Sequence, residues 1–265
     1  MDRPVGAHPV AFFDLDGTLL PWDTQLLLAN FVFQREPWRR LFLLPVLLVL
    51  PLKLLGLVST RCVKRLFLGF LAGFSRRQLE ALLDAFVDRA ALPAMWPEML
   101  AEIEDRRREG CLLVLNTASP QLYAEPIARR LGFDHCVSTQ VETGGGERFP
   151  WPPGFLGPNN KRQAKIDAMR ERGLIGPGGP LPLPGAWTYT DSSADLPLLR
   201  CAQRGVLVHP RPALQSIGQQ EGWRELRPAP AVSRIQWVLA GVAMFFGCWN
   251  PPARSSRETE CDEGS

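Results

Sequence analysis

The sequence lacks a strong excess of charge of either sign, and it lacks any closely paired cysteines. Its formal net charge is +3 over 265 residues, far from the basic stripe of a nucleic-acid-binding protein. The six cysteines include no Cys-x-x-Cys pair, so we expect reduced thiols rather than a disulfide framework or a zinc site. Residues 1–9 contain no apolar segment typical of a signal peptide. We therefore expect a catalytic face in the cytoplasm and no nucleic-acid partner.

Two aspartates, Asp14 and Asp16, follow an apolar run that starts at Val10. Because this run has no polar alternation, it predicts a buried strand of a parallel sheet. Loops just past the carboxyl ends of such strands form the ligand crevice, and paired carboxylates there need a cation or a reacting group. The pair indicates a nucleophile and Mg²⁺ ligand at Asp14 and a general acid/base at Asp16. An ordinary Asp-rich turn is the alternative.

A long apolar run at residues 41–58 contains Pro45, Pro51 and a single charge. It is about as long as a short membrane span. A single crossing, however, would separate Asp14 from the motifs that follow. We therefore expect a re-entrant or interfacial helical hairpin bent near the two prolines; a buried core helix is the alternative. The expected membrane contacts are Leu41, Leu44, Leu47 and Leu50.

A second apolar segment, residues 235–249, is bracketed by Trp237 and Trp249. Tryptophans at both ends suit an interfacial position, which predicts a second membrane contact. The alternative is a helix folded back onto the catalytic domain. The sequence thus divides into a catalytic core (1–20 and 109–227), a helical membrane-associating cap (21–108), and a linker, apolar helix and polar tail (228–265). Within the cap, Asp23 is expected to cap a helix that runs to Phe33.

Three later segments place polar side chains at the ends of strands or in a helix. Thr117 follows a second apolar strand, where its hydroxyl could bind a phosphoryl oxygen or simply cap a helix. Lys161 and Lys165 lie together in a predicted helix, and either could reach a phosphoryl group. Asp191 ends a further strand, and Asp195 lies one helical turn later, which suits Mg²⁺ coordination.

In this order the segments resemble the four motifs of the haloacid dehalogenase superfamily of phosphohydrolases. The matching stretches are DLDGT at 14–18, LNTASP at 115–120, KRQAKIDAM at 161–169 and DSSADLPLL at 191–199. The resemblance implies a Rossmann-like, three-layer α/β fold with a parallel sheet and a helical, apolar cap inserted after the first strand. It also implies a Mg²⁺-dependent phosphomonoesterase that forms an aspartyl phosphate.

The resemblance implies a role for each residue of these motifs. Asp14 would be the nucleophile, and Asp16 would protonate the leaving group. The metal ligands would be Asp14, Asp16 and Asp191, supported by Asp195, and the phosphate ligands would be Thr117 and Lys165. Thr190 departs from the superfamily pattern, since many members have glycine there.

A narrower resemblance, to the phosphatidylglycerophosphatase C family, comes from ASPQ at 118–121, YTDSSADLPLL at 189–199 and the proline-broken apolar insertion. It implies an anionic phospholipid substrate, phosphatidylglycerophosphate, which would be converted to phosphatidylglycerol. The expected localisation is the inner membrane, with the catalytic domain facing the cytoplasm. The alternatives are a soluble small-metabolite phosphatase of the phosphoserine phosphatase type, a phosphotransferase with an alcohol acceptor, and a non-enzymatic membrane adaptor.

Overall fold

The computed structural model describes residues 9–143, 145–175, 181–229 and 232–250, and seven strands within these ranges form one sheet. The strands are β1 (Val10–Phe13), β2 (Leu112–Pro120), β3 (His135–Glu142), β4 (Gly154–Leu156), β5 (Leu183–Thr190), β6 (Ala202–Val208) and β7 (Arg224–Leu226). Their spatial order is β4-β3-β2-β1-β5-β6-β7. All pairs are parallel except β3 with β4. This confirms the predicted parallel sheet, although the short edge strands β4 and β7 are not evident in the sequence pattern.

A helical insertion connects β1 to β2. It contains α1 (Thr24–Arg35), α2 (Leu43–Leu54), α3 (Thr60–Phe67), α4 (Arg76–Phe86) and α5 (Pro97–Arg108). Short 3-10 or π turns lie at Pro37–Phe42, Leu68–Leu71, Val87–Ala91 and Leu92–Ala94. The later helices are α6 (Gln121–Arg130), α7 (Gln163–Glu171), α8 (Leu196–Cys201), α9 (Pro212–Glu221) and α10 (Arg234–Phe245), with a 3-10 turn at Ser193–Asp195. The cap therefore follows the first strand, as predicted; the domain boundaries at residues 20, 108 and 227 stay predictions.

Helices cover both faces of the sheet, because successive residues of a strand point to opposite sides. Phe13 of β1 lies in the same hydrophobic cluster as Ile127 of α6. Its neighbour Phe12 lies in a second cluster, together with Ile166 of α7. Each of these four side chains is at most 5% exposed. The result is the predicted three-layer α/β fold.

The start of the cap follows the sequence signal closely. The Asp23 side chain accepts a hydrogen bond from the backbone N–H of Leu26 at 3.0 Å and so caps α1 at its N-terminus. This confirms the helix predicted after Asp23. The cap satisfies one of the N–H groups that a helix start leaves without a partner.

The apolar run 41–58 does not bend at its prolines. Pro45 and Pro51 both lie within α2, and the chain turns at Gly56, where φ is +76°. Because this left-handed conformation is strained for residues with a Cβ, glycine suits the turn. α2 then packs beside α3. The hairpin predicted within 41–58 is therefore wrong: most of this run forms one helix, and the hairpin is made by α2 and α3 with its turn at Gly56.

The C-terminal apolar helix folds back onto the cap. Asn30 of α1 is bonded twice to Trp249: its Nδ2 donates to the carbonyl oxygen, and its Oδ1 accepts from the backbone N–H, both at 3.0 Å. Trp237 Nε1 donates to the Pro21 carbonyl at 3.0 Å. The folded-back alternative is therefore the closer one, and α10 packs on α1 of the cap. The predicted polar tail that follows Asn250 lies outside the residues that the structure describes.

No helix in the described part of the chain is both long and apolar enough to cross a membrane. α2 and α10 have 12 residues each, whereas a span needs about 20. The predicted inner-membrane localisation is contradicted by this finding. Of the predicted contact residues, Leu41, Leu44, Leu47, Leu50 and Trp237 are 40–64% exposed, and Trp249 is partly buried against the core.

Candidate active site

The first candidate carboxylate lies at the end of the central strand. β1 pairs with β2 on one side and with β5 on the other, so the connections on its two sides diverge where it ends. Such a switch point opens a crevice in an open α/β sheet. Asp14 is the first residue after β1, and its backbone N–H donates to the Tyr189 carbonyl at 3.0 Å. This bond anchors Asp14 at the edge of the sheet, with its side chain buried.

Lys165 joins this carboxylate to a second one. Its Nζ donates to Asp14 Oδ1 at 2.9 Å and to Asp195 Oδ2 at 2.8 Å. The side chain reaches the crevice from α7 and is 1% exposed, whereas Lys161 is exposed. The structure thus separates the two lysines that local sequence reasoning could not separate.

Burial has the largest single effect on the pKa values of Asp14 and Lys165. It raises the pKa of Asp14 to about 7, and the negative charge of Asp195 adds to the rise, although Lys165 acts in the opposite direction. Burial alone would lower the pKa of Lys165, but the charges of Asp14 and Asp195 raise it above its ordinary value. Lys165 is therefore a fixed cation beside the candidate nucleophile.

Asp16 is held by both of its oxygens. Its Oδ1 accepts from the backbone N–H of Thr24 at 2.7 Å and from the Thr24 hydroxyl, and its Oδ2 accepts from the Ser119 hydroxyl. Burial raises the pKa of Asp16 to about 6; the charge of Asp23 acts in the same direction, while the hydrogen bonds lower it. A carboxyl group with this pKa can both give and take a proton near neutral pH.

Asp191 follows β5 directly and faces the loop after β1. Its backbone N–H donates to the Thr18 hydroxyl at 3.0 Å. Gly17 passes so close that a Cβ there would lie 2.6 Å from Asp191 Oδ2, and its φ is +78°. Burial raises the pKa of Asp191 to about 7, and the charges of Asp14 and Asp195 add to the rise. The Asp-x-Asp loop and the later carboxylate therefore share one crevice.

Thr117 is buried, and in this structure its hydroxyl accepts from the backbone N–H of Ser119 at 3.1 Å. We call the irregular end of β2, residues 116–120, the Thr117 loop, because its pairing with β3 shifts there. It is fixed by Asn160, just before α7. Asn160 Nδ2 donates to the Thr117 carbonyl at 2.8 Å, to Asn116 Oδ1 at 2.9 Å and to the Val137 carbonyl at 3.0 Å. A single amide thus ties β2 and β3 to the segment that leads to Lys165.

Four residues that sequence reasoning did not assign to the site contribute to it. Ser119 and Thr24 hold Asp16, Thr190 Oγ1 donates to Asp195 Oδ2 at 2.9 Å, and Asn160 holds the Thr117 loop. The only signal in the sequence was that they lie in or beside the quoted stretches. Because Ser, Thr and Asn are common in turns and helix caps, their presence there did not single them out.

Within the described residues, no three Cys, His, Asp or Glu side chains are grouped to hold a metal ion. Both Asp16 oxygens accept hydrogen bonds, and the ligand set of Asp14, Asp16 and Asp191 stays a prediction. The negative charge of Asp14 contributes to the raised pKa of Asp191, so a cation near both carboxylates would stabilise their ionised forms. Since Mg²⁺ commonly takes one or two carboxylates together with water and substrate phosphate, this pair of oxygen donors fits Mg²⁺.

The family model of haloacid dehalogenase-like hydrolases matches residues 11–200. The chain belongs to this family. The matched range contains all the residues predicted to react, to bind phosphate or to support the metal: Asp14, Asp16, Thr117, Lys165, Asp191 and Asp195. As a haloacid dehalogenase-like hydrolase, the protein has the three-layer fold expected for its class.

Several known proteins resemble this hydrolase. The phosphoserine phosphatase SerB1 of Mycobacterium tuberculosis is 27% identical over 240 residues, which are 88% of this chain and 75% of that protein. A Bordetella pertussis protein of unknown function has a structure with a TM-score of 0.67 and 26% identity, covering 83% of this chain and 98% of that one.

The fold also matches a probable phosphoserine phosphatase from Vibrio cholerae, with a TM-score of 0.56 and 15% identity over 92% of this chain and 66% of that one.

Proposed function

We propose that this hydrolase is a Mg²⁺-dependent phosphomonoesterase of the phosphoserine phosphatase type, acting on a small phosphorylated metabolite through an aspartyl phosphate. The observation that carries the proposal is Lys165, which lies between Asp14 and Asp195 with both bonds under 3 Å, while Asp16 is held two residues further along the same loop. The resemblance to SerB1 supports a small metabolite as the substrate.

In the first step, the Asp14 oxygen that is not bonded to Lys165 attacks phosphorus. The bond from phosphorus to the leaving oxygen breaks, and Asp16 donates its proton to that oxygen as it departs. Lys165 offsets the negative charge that gathers around the phosphoryl group. The Thr117 loop is fixed by Asn160 and adjoins Asp16 through Ser119, and the Thr117 hydroxyl would bind a phosphoryl oxygen.

In the second step, water replaces the enzyme on phosphorus. Asp16, now ionised, takes a proton from the water as the water attacks the aspartyl phosphate. The bond to the Asp14 oxygen breaks, which restores the carboxylate and releases inorganic phosphate. When bound between Asp14 and Asp191, Mg²⁺ would supply charge neutralisation for the carboxylates and the phosphoryl oxygens.

A second candidate substrate is a phospholipid phosphomonoester, such as phosphatidylglycerophosphate. The observation that favours it is the apolar surface of the cap, where Leu48, Leu54 and Leu57 are 73–84% exposed. Acyl chains could lie against this surface while the headgroup reaches the crevice. The catalytic residues and the two steps would be the same.

The test is phosphate release from phosphoserine, phosphatidylglycerophosphate in detergent, and phosphatidate, each with Mg²⁺ and with EDTA. We expect Mg²⁺-dependent release that is faster from phosphoserine than from either lipid; the opposite order would favour the second candidate.

Asp14→Asn should reduce phosphate release by roughly 10³-fold or more. The control, Asp167→Asn, changes an exposed aspartate of α7 and should leave the rate unchanged. Substantial turnover by a clean Asp14→Asn preparation would exclude the proposed nucleophile.

A further inference from the structure

A cavity of about 200 Å³ lies between the cap and the sheet. On the cap side it is lined by Thr60, Arg61 and Lys64 of α3. On the sheet side it is lined by Ala118, Pro120, Thr139, Phe155 and Asn159. The cavity is therefore bounded by both parts of the chain that a bound substrate would have to contact.

The cavity adjoins the proposed general acid. Two of its lining residues, Ala118 and Pro120, flank Ser119, whose hydroxyl donates to Asp16 Oδ2. The Ala118 carbonyl is fixed from the far side by the Thr139 hydroxyl at 2.9 Å. Since Asp16 protonates the leaving oxygen in the proposed reaction, the cavity lies where the departing alcohol would be bound.

The charge of the cavity wall is entirely positive. It contains Arg61 and Lys64 and no aspartate or glutamate. In the described parts of the chain, neither cation has a carboxylate within ion-pair distance. By contrast, the neighbouring Arg65 is turned to the Pro153 carbonyl at 2.7 Å.

Neighbouring contacts hold the Arg61 side chain and the backbone of Lys64 at the cavity. Arg61 donates to the Phe155 carbonyl, and its guanidinium lies 5.9 Å from the centre of the Phe155 ring. The carbonyl of Lys64 accepts from Gln25 Nε2 at 3.3 Å, which links α3 to α1. The guanidinium of Arg61 has further N–H donors, and the Lys64 ammonium has three.

We propose that Arg61 and Lys64 form a subsite for a second anionic group on the substrate's leaving alcohol. This inference rests on the proposed phosphomonoesterase function and narrows its substrate class. The substrate would be a phosphomonoester whose alcohol carries a carboxylate or a phosphodiester. Arginine binds either anion through two parallel hydrogen bonds, and a nearby lysine adds a point charge. An alcohol that carries only an ammonium group would be repelled.

A set of small substrates that differ only in charge tests the subsite. Glycerate 3-phosphate carries a carboxylate, glycerol 3-phosphate is neutral at the same position, and phosphoethanolamine carries an ammonium. Deacylated phosphatidylglycerophosphate supplies the phosphodiester arm. We expect kcat/KM for either anionic alcohol to exceed that for glycerol 3-phosphate by about tenfold or more, and phosphoethanolamine to be the poorest substrate. Whichever anionic arm is faster identifies the preferred second group.

The variant Arg61→Gln/Lys64→Gln should lose this preference, mainly through KM, while it still hydrolyses p-nitrophenyl phosphate. Arg76→Gln/Arg77→Gln removes the same charge from exposed cap positions and should retain the preference. The proposal would be overturned if the wild-type enzyme showed no preference for anionic alcohols. It would also be overturned if the Arg61→Gln/Lys64→Gln variant kept that preference.

Failure of the proposed function itself would look different, because wild-type protein would then not hydrolyse p-nitrophenyl phosphate with Mg²⁺. The subsite can still be judged by calorimetry on the Asp14→Asn background. Glycerate 3-phosphate should bind about tenfold more tightly than glycerol 3-phosphate, and this difference should vanish when Arg61 and Lys64 are also replaced by glutamine. Equal binding of the two ligands would overturn the proposal.

Discussion

At the scale of single residues, the crevice brings several buried carboxyl groups close together. The pKa of Asp14 and of Asp191 is raised to about 7 and that of Asp16 to about 6, first of all by burial. A carboxyl group whose pKa is higher in the folded chain than in the unfolded chain lowers stability as it ionises. As the pH rises, this loss of stability begins near the pKa of the unfolded chain, about 4, and is complete above the pKa of the folded chain. The metal-free enzyme should therefore be least stable at alkaline pH.

Asp191→Asn should therefore stabilise the metal-free protein. In EDTA at pH 8 we expect its Tm to exceed that of the wild type by about 2–6 °C, which corresponds to about 1–2 kcal/mol for a chain of this size. The difference should narrow as the pH falls from 8 towards 4, because the wild-type carboxyl group then becomes neutral. Thermal denaturation across this pH range measures it. A Tm below that of the wild type at pH 8 would show that Asp191 is not under electrostatic strain.

Lys165→Ala should lower the rate of phosphate release by on the order of 10²-fold or more, as expected for loss of a positioned charge. Lys161→Ala, at an exposed position four residues away, should cost less than about twofold. Because Lys165→Ala also leaves Asp14 and Asp195 buried without their cation, it should lower stability by about 3–5 kcal/mol. Rates should be compared at a temperature where circular dichroism shows both variants folded. The reverse ranking would place the catalytic cation at Lys161.

At the scale of elements, the helix that carries Lys165 begins under backbone strain. Arg162, at the N-cap of α7, has φ 57° and ψ −129°, a region in which residues with a Cβ are disfavoured. It lies between Asn160, which holds the Thr117 loop, and Lys165, which reaches Asp14. The connection is short and fixed at both ends, so the strain falls on the residues between them.

Arg162→Gly should relieve this strain and raise the free energy of unfolding by about 1 kcal/mol, after the entropic cost of glycine is taken into account. Arg170→Gly, in the last turn of the same helix, should lower it by up to about 1 kcal/mol. Urea denaturation of the two variants provides the comparison. If both lose stability to the same extent, Arg162 is not strained in solution.

At the scale of the whole molecule, the C-terminal helix closes the chain onto the cap. Phe245 stacks on Phe67 with ring centres 5.4 Å apart, and Trp22 meets Trp249 edge to face at 5.1 Å. The buried Asn30 satisfies both the N–H and the carbonyl of Trp249. These contacts make α10 part of the folded cap rather than an appendage.

Asn30→Ala should consequently lower the free energy of unfolding by about 2 kcal/mol, since two backbone groups lose a buried partner. Gln34→Ala is the matched control, because Gln34 Nε2 donates to the same Trp249 carbonyl at 2.7 Å but from an exposed position. It should cost under about 1 kcal/mol. Chemical denaturation measures both. Equal losses would mean that the α10 attachment does not depend on the buried amide.

The sequence alone determined where the reacting groups lie in the fold. The apolar run before Asp14 identifies a central strand, because both faces of such a strand are buried whatever packs on them. Asp23 marks the start of α1 through a purely local hydrogen bond. Tertiary structure decided what depends on distant partners. Lys165 differs from Lys161 only through its reach to Asp14 and Asp195, which come from other segments.

The same reason explains the errors. The apolar runs at 41–58 and 235–249 indicate that these segments avoid water, but they do not show whether protein or membrane covers them. Only the packing of α10 on α1 showed that the second run folds back onto the cap. The hydroxyls of Ser119 and Thr24 became visible as parts of the site only when the fold brought them to Asp16. Local sequence patterns determine which secondary structure a segment can form. Contacts between segments far apart in the chain determine which role that segment has in the folded protein.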